Sequence, residues 1–209
     1  MEMILNKENF VDMLNSSCQL IDKNIDKLGN IDAKFGDGDH GVTMSKISNI
    51  IKKCINNWEN ESVYEFFENM GEEIMDVNGG SAGPLYGTFF QGLGEGIENS
   101  EEIDNKVFKK MILSSLENMQ MITKAKVGDK TMMDTLIPAA ECAKKSSLEL
   151  PECITEIADA ACRGAEKSKE FPSKFGRARF FKDETIGYMD AGAMSLSLIF
   201  MGFNEGIKK

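Results

Sequence analysis

The chain of 209 residues contains one histidine and no C-x-x-C pair. A structural zinc site built from Cys and His therefore lacks ligands. Cys18, Cys54, Cys142, Cys153 and Cys162 fall on apolar helical faces, where reduced core thiols are expected, as in a cytoplasmic protein. Only four prolines are present, which disfavours a turn-rich β architecture. No stretch approaches the roughly 18 apolar residues of a membrane span. The opening "MEMILNKENF" has neither the basic start nor the long apolar run of a signal peptide. Cationic side chains are in deficit, and the net charge of −10 argues against nucleic acid or an anionic membrane as the main partner.

What the chain does contain is helical periodicity. Apolar residues recur every three or four positions through Phe10, Leu14, Cys18, Ile21, Ile25 and Leu28, and again through Met44, Ile47, Ile51, Ile55 and Trp58. Six further stripes follow, beginning at Val63, Leu85, Val107, Met133, Ile154 and Leu196. About eight amphipathic helices and no convincing strand predict a single domain over 1–209, an all-α antiparallel bundle or barrel. Short turns in such a bundle put alternate loops at the same end.

The loops carry the chemistry. "KFGDGDHG" matches a dinucleotide fingerprint in spacing, but a helical stripe precedes it, and bare aspartates repel phosphate. An EF-hand counted from Asp37 fails as well, with Gly41 and Ser48 where oxygen ligands belong. Three aspartates, Asp32, Asp37 and Asp39, remain to be explained. Two like charges about 4 Å apart repel by roughly 4 kcal/mol at an effective dielectric near 20, so a divalent cation is the natural counterpart. A solvated acidic turn is the plainer alternative. "NGGSAGPLYG" reads as a glycine turn opening a helix, with Pro84 in the first turn and amides free for an anion. "GDKTMMDT" lacks Walker A spacing but offers Lys130, Thr131 and a helix N-terminus; the plainer alternative is an ordinary capped helix start, with Asp129 as the cap. Arg163, Arg177 and Arg179 cluster with Lys167, Lys169, Lys174 and Lys182 in or just before the last long loop, a cationic segment able to cover a polyphosphate or simply to face solvent.

In order, "IDAKFGDGDHG", "GGSAGPLYGTFF", "GDKTMMDT", "GRA" and "DAGA" resemble the L subunit (the nucleotide-binding, DhaL-type subunit) of bacterial dihydroxyacetone kinase. The resemblance spans essentially the whole chain. It implies an eight-helix antiparallel barrel with ADP or ATP at one end and two Mg2+ held by Asp32, Asp37 and Asp39. It implies that His40, Gly41, Val42 and Thr43 lie along the phosphates, and that Gly80, Ser81 and Ala82 contact the nucleotide. Met132 would pack near the base, Thr123 would occupy a nucleotide-contacting position, Arg177 would act from the last loop, and Asp190, Ala191 and Gly192 would close the site. The implied partners are a K subunit carrying the keto-sugar and a phosphotransferase-type donor subunit that rephosphorylates bound ADP; a homodimer is also compatible. Ser81-Ala82 reverses the family's usual Ala-Ser order, Tyr188 and Ala191 replace a frequent His and Pro, and Thr123 replaces a frequent Gly, so the cap over the nucleotide departs most from the pattern. Exchange of free ATP, or a nucleotide-loaded module that binds a transcription factor, are the alternative readings.

Overall fold

The computed structural model describes residues 3–97, 100 and 102–209. Among them are nine α-helices: α1 (Lys7–Lys23), α2 (Ile25–Asp32), α3 (His40–Asn57), α4 (Val63–Met75), α5 (Ala82–Glu95), α6 (Asn105–Ile122), α7 (Met133–Lys145), α8 (Leu150–Lys167) and α9 (Ala191–Gly206). The all-α expectation holds, with a single isolated bridge, Leu5 to Ile103, among the described residues. The helix count differs by one because the first apolar stripe runs across a break. At Asn24 the backbone leaves helical geometry (φ −115°, ψ 9°), while the Asn24 amide donates to the Leu20 carbonyl at 2.8 Å.

Local signals set the boundaries. Asn6 with Asn9, and Ser62 with Glu65, form reciprocal capping boxes that satisfy otherwise orphaned amides of α1 and α4. Asp104 accepts from Val107 N at 2.8 Å to start α6, and Asp190 accepts from Ala193 N at 2.8 Å to start α9. The helices close a ring in which α1 packs on α3, α3 on α4, and so on in order to α9, which returns to α1. Phe10, Phe67, Phe90, Phe89 and Phe200 run through the interior as successive ring contacts that join α1, α4, α5 and α9. α9 is apolar nearly all round, as a helix inserted between α1 and α8 must be. Alternation around the ring places the N-termini of α3, α5, α7 and α9 at one end.

Candidate active site at one end of the barrel

The acidic loop lies between α2 and α3. Gly38 takes a positive φ of 77°, and Asp39 sits at the N-cap of α3 without making a side-chain capping bond. The Asp39 carboxylate is therefore not consumed by the helix start. Asp32, half-buried at the end of α2, and the exposed Asp37 and Asp39 each present an oxygen within 4.8 Å of the others. Asp32 also accepts a long 3.4 Å contact from His40 N. Lost hydration and the neighbouring Asp37 and Asp32 carboxylates push Asp39 above its usual range, with Arg177 opposing. Three hard oxygen donors with spare lone pairs fit a magnesium-type cation.

The turn before α5 approaches the first turn of α3. A Cβ added to Gly79 would come within 2.2 Å of Thr43 Oγ1, whereas one on Gly80 (φ 60°) would meet nothing within 4 Å. Ser81 occupies the N-cap of α5 but its side chain makes no capping bond. Ala82 is the first residue of α5 and is buried. Within α3, Val42 is exposed, Thr43 is buried, and Gly41 packs on α2, where a Cβ would fall 2.2 Å from the Ile25 carbonyl. Gly41 is thus required by helix packing whatever else it does.

A hydrogen-bonded chain that the sequence did not signal ties three of these termini together. His40 Nε2 lies 2.8 Å from Ser195 Oγ, which lies 2.7 Å from the Tyr86 hydroxyl; Tyr86 also donates to the Gly192 carbonyl at 3.3 Å. Burial lowers the His40 pKa, against the pull of Asp32.

The start of α7 corrects one expectation. Asp129 does not cap the helix; its carboxylate accepts from Lys126 N at 3.0 Å and from Lys174 Nζ at 2.7 Å. The loop is organised from inside the helix instead, by buried Asp134, which accepts from Gly128 N at 2.6 Å and Thr131 N at 2.7 Å. Met132 is buried beside the start of α9, where a Cβ on Gly192 would stand 3.5 Å from Met132 Cβ. Thr123 ends α6, and its hydroxyl accepts from Ala125 N at 3.2 Å.

Residues 168–190 close the end as three short 3-10 turns. Arg177 reaches across to pair with Asp37, Phe35 contacts both Phe181 and Tyr188 at 5.3 Å between centroids, and Lys34 sits 4.4 Å over the Tyr188 ring. Ala191 and Gly192 begin α9 just after Asp190. Arg163 and Lys167 do not join this site; with Lys145 they line a separate cavity of about 260 Å³ between α7 and α8.

The chain is similar to known proteins. The family model described as the DAK2 domain matches residues 34–205. The chain is 30% identical over 187 residues to the PEP-dependent dihydroxyacetone kinase 1 ADP-binding subunit DhaL of Listeria innocua, covering 90% of each chain. It is 30% identical over 191 residues to the L-erythrulose kinase of Pectobacterium atrosepticum, 89% of this chain but only 32% of that one. In fold it superposes on the dihydroxyacetone kinase from C. freundii, solved with AMP-PNP and Mg2+, with a TM-score of 0.75 at 24% identity, over 98% of this chain and 35% of that one.

Proposed function

Since the chain belongs to the DAK2-domain family, we propose that it is the nucleotide- and magnesium-binding subunit of a dihydroxyacetone-type kinase, presenting a γ-phosphoryl group to a keto-sugar held on a separate K subunit. The observation that carries this reading is the convergence of Asp32, Asp37 and Asp39 within 4.8 Å at the end where α3, α5, α7 and α9 begin. Those carboxylates would hold two Mg2+, which supply charge neutralisation for the polyphosphate when bound. The uncapped start of α5 at Gly80, Ser81 and Ala82, and the first turn of α3 from His40 to Thr43, offer amides and helix dipole to the phosphates. Met132 beside Gly192, together with Thr123, Asp190 and Ala191, would receive the nucleoside. Arg177, which pairs with Asp37, would shift to phosphate oxygens once a cation took its carboxylate partner. Catalysis here is positioning and charge stabilisation. Relatives named for dihydroxyacetone and for L-erythrulose support a short keto-sugar acceptor. The cover of 90% of a DhaL subunit supports a relay in which ADP stays bound and a phosphotransferase-type donor subunit rephosphorylates it.

The test is to purify the protein without added nucleotide, denature it, and quantify released adenine nucleotide and magnesium. Near-stoichiometric ADP with about two magnesium ions per chain is the expected result. A nucleotide-free protein that binds Mg-ATP reversibly would replace the relay with direct use of ATP, and a protein that binds neither would overturn the kinase reading.

A further inference from the structure

Lys130 does not face the site where its motif would place a phosphate-binding lysine. Its side chain is 4% exposed, and its Nζ donates to the Ser168 carbonyl at 2.7 Å and to the Tyr188 carbonyl. Those two carbonyls are the first and nearly the last of the segment that covers the site. Lys130 also holds a positive φ of 59°, a conformation that is strained for a non-glycine residue and persists only where its surroundings fix it. A second tie lies one residue earlier, where the Asp129 carboxylate accepts from Lys174 Nζ at 2.7 Å and the Asp129 carbonyl accepts from Lys174 N at 3.1 Å. The covering segment is closed on itself as well: Gly187 N donates to the Lys169 carbonyl at 2.7 Å, Asp190 N to Ser168 Oγ at 3.0 Å, and Ser173 N to Thr185 Oγ1 at 2.8 Å. It is a compact loop pinned by the start of α7 at its neck and on its flank.

We propose that Lys130 is a positioning residue, the clasp that fixes residues 168–190 over the nucleotide end and thereby sets how long a nucleotide stays bound. The Lys130 ammonium is engaged by two loop carbonyls; it acts through Arg177, whose reach to Asp37 depends on where the loop is held. Burial lowers the Lys130 pKa, with Asp190 and Asp134 opposing, and two carbonyls at hydrogen-bond distance take the place of the water the ammonium loses. The effect on nucleotide rests on the proposed function, but the geometry of the clasp does not.

Chymotrypsin separates the two. Phe180, 72% exposed, and its neighbour Phe181 stand on the covering loop. In nucleotide-free protein, Lys130→Met should raise the rate of cleavage at these phenylalanines about tenfold or more, since two charge-assisted hydrogen bonds are lost. Lys174→Met, which removes only an exposed tie, should raise it by a smaller factor, and serves as the test if Lys130→Met does not fold. With a fluorescent ADP analogue, dissociation should accelerate in the same order, and kcat at saturating nucleotide should change less than KM. Unchanged cleavage in both folded variants would overturn the clasp. Loss of nucleotide affinity in Lys130→Met with cleavage unchanged would also overturn it, assigning Lys130 to phosphate. Faster cleavage in a protein that binds no nucleotide at all would leave the clasp standing and remove the proposed function.

Discussion

Asp190 shows how a residue can be both a structural cap and a charge held against its preference. It caps α9 through the 2.8 Å bond from Ala193 N, yet burial pushes its carboxyl up to about 7, with Asp134 and Asp32 adding to the rise and Ala193 N and Lys130 opposing it. The folded form then binds a proton more tightly than the unfolded chain, whose carboxyl titrates near 3.9. Asp190's contribution to stability is fully present below about pH 4 and is lost as pH rises toward 7, with no further change above that. The side chain is only half-buried and water screens its charge, so the loss should be on the order of 2 kcal/mol, roughly half of what complete burial would give. Asp190→Asn keeps the capping oxygen and removes the titration. Urea unfolding of nucleotide-free protein should show the variant gaining on the parent between pH 4 and 7. A stability difference independent of pH would show that Asp190 titrates normally.

Elements were legible in the sequence unevenly, for physical reasons. Apolar stripes located the helices, because packing on a common core demands one face per 3.6 residues. The same stripes hid the break at Asn24, since α1 and α2 both bury their apolar faces and the pattern continues across the bend. The acidic loop and the glycine turn were legible because glycine and unpaired carboxylates have few other reasons to cluster. Lys130, Asp134 and the His40–Ser195–Tyr86 chain were not, since a polar residue in a loop gives no sign in sequence of whether it turns inward. The glycine turn at the start of α5 can be probed directly. Gly80 has φ 60° and open space where a Cβ would go. Gly80→Ala should therefore cost about 1 kcal/mol in folding through backbone strain alone. If the phosphates rest on that helix start, ADP affinity should fall by a further factor of about ten, because the methyl group enters their space. Parallel urea melts and ADP titrations read the two effects. Reduced stability with unchanged affinity would move the nucleotide away from α5.

At the scale of the molecule, four helix N-termini and the Arg177 loop face the same end of a chain whose net charge is −10. Each helix start carries roughly half a positive charge, so that end attracts anions. Asp32, Asp37 and Asp39 work against this on their own, and would repel a polyphosphate brought to the same place. The two features agree only when a cation sits between carboxylates and phosphate. Metal and nucleotide should therefore bind with strong mutual coupling, each raising the affinity for the other by the same factor. A ligand at about 100 times its Kd stabilises by about 2.7 kcal/mol, which for a domain of this size is a rise of roughly 5–10 °C in Tm. ADP with magnesium should produce a change of that order, ADP with a chelator or magnesium alone far less. Asp37→Asn, which also frees Arg177, should abolish the excess of the joint effect over the separate ones. If ADP in a chelator raises Tm as much as ADP with magnesium, the carboxylates do not bridge to the nucleotide through a metal, and the acidic loop contributes to the site only as the partner of Arg177.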